Sequence, residues 1–217
     1  MTITELHIQL DLQHENRIDI LEDATFKCGN GYLFVDSADG HCYLFDENGN
    51  EDDIKKIKYI GNHAFERENL KSIVIPDSVK CIGNRAFCGC ENLKSIKIPN
   101  SVKSIGDYAF YYCQSLKSIE IPDSVKSIGN CAFESCENLK SVVIPNFVKN
   151  IGIYVFYGCK SLKSIVIPDS VEGIGDGTFE YCKSLKSIVF KGKTLNQVKA
   201  MYYYPFGIED ESIIKCI

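Results

Sequence analysis

Cysteine is the residue that most invites a chemical reading of this sequence. Eleven of the 217 residues are Cys, and Cys90, Cys113, Cys136, Cys159 and Cys182 recur at intervals of 23. Thiolates bind soft metals and pair as disulfides, so a metal string and a disulfide ladder are two readings of such a series. Zinc sites gather their ligands around one point, usually from paired C-x-x-C, whereas one Cys per period spreads them along a line. A column of small buried thiols filling one core slot suits the spacing better, because free Cys packs as a small hydrophobe. Cys88-Gly-Cys90 is a lone C-x-C without a second pair nearby. Cys81, Cys88 and Cys131 fall outside the core register and are candidates for exposed, oxidisable thiols. Cys28, Cys42 and Cys216 are not placed by any pattern.

Other chemistry is sparse. The run Asp46-Glu-Asn48-Gly-Asn50-Glu-Asp52-Asp53 has oxygen donors at positions one, three and five of a calcium loop. It lacks the Gly at six and the Glu at twelve that such a loop needs, and reads as a turn followed by a solvated acidic run. The four histidines, His7, His14, His41 and His63, lie in the first 63 residues. No glycine-rich phosphate loop, G-x-S-x-G or H-E-x-x-H occurs. Repetition also sets the same residue type at every period, which builds surfaces more readily than one convergent reaction centre. No catalysis, cofactor or metal is expected.

The elements that position these residues follow from the repeat. Pro76, Pro99, Pro122, Pro145 and Pro168 lie 23 apart, as do Gly83, Gly106, Gly129, Gly152 and Gly175, with Gly61 one residue closer. Phe65, Phe87, Phe110, Phe133, Phe156 and Phe179 follow these glycines by four, and Leu70, Leu93, Leu116, Leu139, Leu162 and Leu185 complete the register. In one unit, Leu116, Ile119 and Ile121 make an L-x-x-I-x-I strand with an inward face, which Pro122 ends by removing a backbone donor. Val125 and Ile128 form a second, shorter apolar pair. Gly129 closes that element, and Ala132-Phe133 to Cys136 has the spacing of one helical turn. Each coil thus turns in Leu116, Ile119, Ile121, Val125, Ile128, Phe133 and Cys136. A lone coil buries too little to offset the entropy of ordering it, but stacked coils share walls and pair strands laterally. The expectation is a solenoid with a parallel sheet along one face.

The run I-P-D-S-V-K-S-I-G-N-x-A-F-x-x-C-x-x-L-K-S-I resembles the BspA-like, or treponemal-type, class of leucine-rich repeats over six units at 54–190. The resemblance implies an α/β fold: a right-handed solenoid of 23-residue coils, capped at both ends, with the parallel sheet on its concave face. It also implies binding of other proteins, or adhesion at a cell surface.

The ends differ in composition. Residues 1–53 hold 13 acids against 2 bases, while 54–190 hold 18 bases against 13 acids and 191–217 are near neutral, for a net charge of −5. We read 1–53 as an acidic, β-rich N-terminal cap, with a strand over 3–12 and a hairpin in which 32–35 and 42–45 flank the turn residues 37–40. At 191–217, Thr194-Leu-Asn-Gln197 is a capping box opening a short C-terminal cap helix to about Tyr202, stopped by Pro205. The first residues show neither a basic n-region nor an apolar h-region, which points to a cytoplasmic location and reduced thiols. A surface location reached without a leader is the alternative. No run is apolar and long enough for membrane insertion. Of the 24 bases only Arg17, Arg67 and Arg85 are Arg, and an acidic chain with few guanidinium forks is a poor nucleic-acid reader.

Function therefore falls to the surface columns. Residues beside the second and third strand anchors point outward: Ser72, Ser95, Ser118, Ser141, Ser164 and Ser187 in one column, Val74, Lys97, Glu120, Val143, Val166 and Val189 in the next. The serines are the repeat's own consensus. The second column varies: Val143, Val166 and Val189 make an apolar strip beside the charged Lys97 and Glu120. Lysines recur at 71, 94, 117, 140, 163 and 186, and again at 80, 103, 126 and 149, which serves solubility or an acidic partner, including the chain's own N-terminal region. Tyr108, Tyr111, Tyr112, Tyr154, Tyr157 and Tyr181 decorate the helical-turn side. The reading is a monomeric, non-catalytic module that binds a protein partner through the concave face, at Ser95, Lys97, Ser118, Glu120, Ser141, Val143, Ser164, Val166 and Val189. A surface adhesion protein and a passive spacer are the alternatives.

Overall fold

A computed structural model describes residues 59–75 and 77–217, together with the backbone of two earlier strands, β1 (Gly31–Val35) and β2 (Cys42–Asp46). β1 and β2 pair antiparallel with Val35 opposite Cys42, as the hairpin signal between them predicts. The expected strand over 3–12 and the acidic run at 47–53 lie outside the described residues.

From residue 59 onward the chain is a stack of coils carrying two parallel ladders. The first, sheet A, is the one the L-x-x-I-x-I pattern predicts. It contains β6 (Ser118–Glu120) paired with β8 (Ser141–Val143), and β10 (Ser164–Ile167) paired with β12 (Ser187–Phe190), each strand one repeat from its neighbour. Single bridges from Val74 to Lys97 and from Lys97 to Glu120 carry it toward the first coil. The ladder is interrupted once, between β8 and β10, where the backbone contact is Lys163 N–H donating to the Lys140 carbonyl at 3.4 Å.

Sheet B runs without interruption through six two-residue strands: β3 (Tyr59–Ile60), β4 (Cys81–Ile82), β5 (Ser104–Ile105), β7 (Ser127–Ile128), β9 (Asn150–Ile151) and β11 (Gly173–Ile174). In sequence this is only the short V-x-x-I apolar pair. Two residues are too few for an alternation to show, so the second sheet emerges only when the coils stack.

The third side differs from expectation. The segment from Ala132 to Cys136 is not a helical turn but a chain of tight turns, because left-handed residues interrupt it at Cys131 (φ 55°) and Ser135 (φ 59°). The same two positions are left-handed in other coils, at Arg85 and Gly89, Tyr108 and Tyr112, and Tyr154 and Gly158. This alternation turns every second N–H along the solenoid axis. Cys131, Phe133 and Ser135 donate to the carbonyls of Ile153, Val155 and Tyr157 in the next coil at 2.7–3.0 Å, while Glu134 and Cys136 donate back within their own turn. A right-handed helix would keep all these bonds local and leave the coils unjoined here.

The core fills the space between the three sides. The seven positions expected to point inward, Leu116, Ile119, Ile121, Val125, Ile128, Phe133 and Cys136, are all buried, and Ala132 joins them. Phe65, Phe87, Phe110, Phe133, Phe156 and Phe179 form one stack whose centroid separations widen from 4.9 to 6.0 Å along the chain.

The repeated glycine is required for space. A Cβ on Gly129 would lie 2.5 Å from the Asp107 nitrogen and 2.6 Å from the Gly106 carbonyl carbon. A second ladder runs beside it: the side-chain oxygens of Asn62, Asn84, Asp107 and Asn130 accept the backbone N–H of residues 84, 107, 130 and 153 at 2.7–2.9 Å. The apolar Ile153 ends this ladder, one coil before β11.

At the C-terminus the capping box forms, with the Thr194 side chain accepting from Gln197 N–H and the Gln197 side chain accepting from Thr194 N–H. Helix α1 (Leu195–Lys199) is shorter than expected: it is capped at Ala200, and the chain turns through left-handed Tyr203 and Phe206 before Ile208. Phe206 is buried, and its carbonyl accepts from Phe179 N–H, closing the turn side of the last coil. A further strand, β13 (Ile214–Cys216), extends sheet A beyond β12.

Two substitutions separate the roles of glycine. Gly129→Ala should destabilise the fold by about 1–3 kcal/mol, because backbone rather than a movable side chain occupies the Cβ position. Ser135→Gly should stabilise it by about 1 kcal/mol through relief of the left-handed conformation that glycine already supplies at 89 and 158. Denaturant unfolding of both variants checks this; a neutral Gly129→Ala would refute the close-approach argument.

Candidate functional site

The outward columns of sheet A lie where the strand alternation places them. Ser95, Lys97, Ser118, Glu120, Ser141, Val143, Ser164 and Val166 are all exposed, on strands whose inward neighbours are buried. Lys97 and Glu120 are adjacent in register. Val143 keeps 65% of its surface exposed and Val166 42%, while their inward strand neighbours Val142, Ile144, Ile165 and Ile167 are buried. Val189 is the exception among the predicted residues. It is only half-exposed because β13 lies against β12 with Lys215 opposite it, so the apolar strip ends at Val166. Val74, on the first coil, is 82% exposed and belongs to the same column.

Sequence reasoning missed Phe147, which is 61% exposed just after the strand containing Val143. Its signal was the departure of one coil from consensus. Where other coils read P-D-S-V-K-S-I-G-N or nearly so, this one reads Pro145-Asn-Phe147-Val-Lys-Asn-Ile-Gly-Ile153. A serine slot thus holds a large apolar ring at the corner between the two sheets.

The turn side carries the tyrosines in two groups. Tyr108, Tyr111 and Tyr112 contact one another, as do Tyr154, Tyr157 and Tyr181, with Cys131, Glu134 and Ser135 on the coil between. At the first coils a cleft of about 530 Å³ is lined by Glu66, Arg67, Arg85, Cys88, Tyr111 and neighbouring residues. Two of its charged residues are engaged: Glu66 meets His63 at 2.6 Å and Arg85 at 3.7 Å, and the Arg85 guanidinium sits 4.7 Å over the Tyr108 ring. Cys88 and Cys131, expected as exposed thiols, are each only 5% exposed; they tuck beneath the turn-side rings and carboxylates instead. Burial, reinforced by the Glu66 carboxylate, pushes Cys88 up to about 11. A thiol held protonated in this way is a poor nucleophile.

The five-cysteine column is a hydrogen-bond ladder. Each thiol donates to the carbonyl of the phenylalanine one coil back: Cys90 to Phe65, Cys113 to Phe87, Cys136 to Phe110, Cys159 to Phe133 and Cys182 to Phe156, at 3.1–3.3 Å. Burial raises Cys136 and Cys182 to about 12 and drives Cys113 and Cys159 well above the ordinary thiol range. Among the described residues, no three His, Cys, Asp or Glu side chains gather in a way that could hold a metal ion.

The thiol ladder has a measurable pH signature. Because the folded thiols titrate higher than unfolded ones, their contribution to stability is complete below about 9 and is lost as pH rises toward about 12. Unfolding free energy should therefore decline across that alkaline interval. At neutral pH a chromogenic disulfide should label Cys81 and Cys216 in the native chain and leave the seven buried described cysteines untouched until denaturant is added. Rapid native labelling at Cys136 would overturn this assignment.

Comparison with known proteins bears on the whole coil array. A family model described as the BspA type leucine rich repeat region matches in six copies, over residues 58–186 and 103–212. Among solved structures, a leucine-rich repeat protein of T. pallidum is 28% identical, with 74% of this chain and 83% of that chain covered and a TM-score of 0.60. A leucine-rich repeat protein of Eubacterium ventriosum is 23% identical, with 78% of this chain and 43% of that one covered and a TM-score of 0.59, a likeness of fold. Comparison with curated proteins gives no match. Paired inward anchors, the 23-residue register and the six matching copies together place this chain in the BspA-type leucine-rich repeat family.

Proposed function

We propose that the chain is a non-catalytic recognition module that binds a protein partner through the outward face of sheet A. The observation that carries this reading is the exposure of Val143 and Val166 on neighbouring coils, with Phe147 beside the first, on a face otherwise lined by Ser, Lys97 and Glu120. Leucine-rich repeat proteins typically mediate protein interaction or adhesion, and a rigid strand face presents its side chains at low ordering cost. Among the described residues no helix is long and apolar enough to cross a membrane.

The test is affinity capture from host lysate with the native chain beside Val143→Lys/Val166→Lys, with circular dichroism confirming that the variant folds. Burial of two partly exposed valines accounts for a loss of roughly tenfold to a hundredfold in affinity when they are replaced. A partner held by the native chain and lost by the variant supports the reading. A partner held equally by both moves the site to the tyrosine-bearing turns, and capture by neither favours a spacer.

A further inference from the structure

Coils stack as layers, so a small residue in one layer leaves an opening between the side chains of the layers on either side. The turn-side cleft of the first three coils arises in this way. Arg67, Gly89 and Tyr112 occupy one column: all three are left-handed, at φ 60°, 74° and 60°. Their N–H groups donate forward to the carbonyls of Cys88, Tyr111 and Glu134 at 2.6–2.8 Å. Glu66, Cys88 and Tyr111 stand one residue back in the same three coils. The second coil thus offers only a hydrogen atom and a buried thiol, where the first carries Arg67 and Glu66 and the third Tyr112 and Tyr111. Layers here lie 4.9 and 5.1 Å apart at the phenylalanine stack, and the cleft of about 530 Å³ opens where the middle one is missing.

Two of the chain's three arginines line this cleft, and they differ in what they meet. Arg85 is engaged by Glu66 and Tyr108. The Arg67 guanidinium makes no hydrogen bond or ion pair among the described residues. Its stem lies over Gly89, whose Cβ, if present, would come 3.0 Å from Arg67 Cγ.

We infer that the cleft binds a pyranose ring bearing a carboxylate, a hexuronate, with the carboxylate on Arg67 and the ring against Tyr112. A guanidinium is a planar fork that matches a carboxylate bidentately, so Arg67 selects an anionic sugar over a neutral one. Tyr112 supplies an aromatic wall and keeps 38% of its surface exposed. Asn69, Glu91 and Asn92 line the cleft and are exposed, and they offer donors and acceptors to ring hydroxyls. A flat aromatic acid would leave that polar lining unanswered, since sites for such rings are lined mainly by apolar side chains. The volume falls within the range of small-ligand sites, roughly 300–1,000 Å³. No residue is shared with the outward face of sheet A, so this inference stands independently of the protein-binding reading.

The test is saturation-transfer NMR on the full chain, with glucuronate as the probe titrated for affinity. Glucuronate should bind roughly tenfold more tightly than glucose or benzoate, and Arg67→Gln should remove that advantage over glucose. Gly89→Tyr fills the missing layer and should abolish binding. The fold already carries tyrosine at this left-handed position at 112 and 181, and circular dichroism checks that the variant folds. Tyr181→Ala, three coils beyond Tyr112 in the same column, should leave affinity within about twofold of native. Absence of glucuronate binding, equal or tighter binding of glucose or benzoate, or native affinity in folded Gly89→Tyr would each overturn the assignment.

Discussion

Everything in this solenoid depends on how closely successive coils can approach. Gly106 and Gly129 sit backbone against backbone, with no room for a Cβ between them, and that contact brings the Asp107 carboxylate within reach of the next coil's amide. Once the coils are that close, three sets of bonds fall into place together: the two parallel ladders, the forward-pointing amides of the turn side, and the thiol-to-carbonyl row inside. Each set shares the same 23-residue translation, so a residue that widened the spacing at one corner would strain the others. Stability is a property of the interfaces between coils, as expected for an array whose single unit cannot bury a core.

Translation also explains why the surface is organised in columns. A side chain at one position of the coil is stacked on its equivalents above and below, so conserved slots become uniform rows and variable slots become patterned ones. The serine and lysine rows are uniform. The column holding Val74, Lys97, Glu120, Val143 and Val166 is patterned, and the consensus fails most around Phe147 and Ile153. The turn-side cleft follows the opposite logic. Glu66, Arg85 and Tyr108 come from successive coils and engage one another, with His63 on Glu66.

Much of this was legible in the sequence because stacking converts a linear period into geometry. The inward set Leu116, Ile119, Ile121, Val125, Ile128, Phe133 and Cys136 could be read from one coil, and so could the exposure of the residues between them. What could not be read depended on partners in the next coil. Sheet B needs a neighbour to be a sheet at all. The turn segment has helical apolar spacing, but non-glycine residues such as Tyr108 and Ser135 adopt left-handed backbone to reach forward, and no propensity rule anticipates that. Cys88 and Cys131 were misjudged because their cover comes from other residues on the turn side. The partial shielding of Val189 comes from β13, whose pairing spans 25 residues or more of intervening chain.

One feature of the stack concerns how it would carry load. Between the coil that holds β8 and the coil that holds β10, sheet A is interrupted, the side-chain amide ladder has already ended at Ile153, and the phenylalanine separation reaches its maximum of 6.0 Å. Sheet B, the turn-side amides and the Lys149–Glu172 pair still cross that junction. Along the axis, the backbone tie at that junction lies in sheet B and the turn-side amides more than in sheet A. Val143 and Val166 stand on either side of that interruption, so side-chain contacts spanning both would bridge a gap that the backbone ladder leaves open.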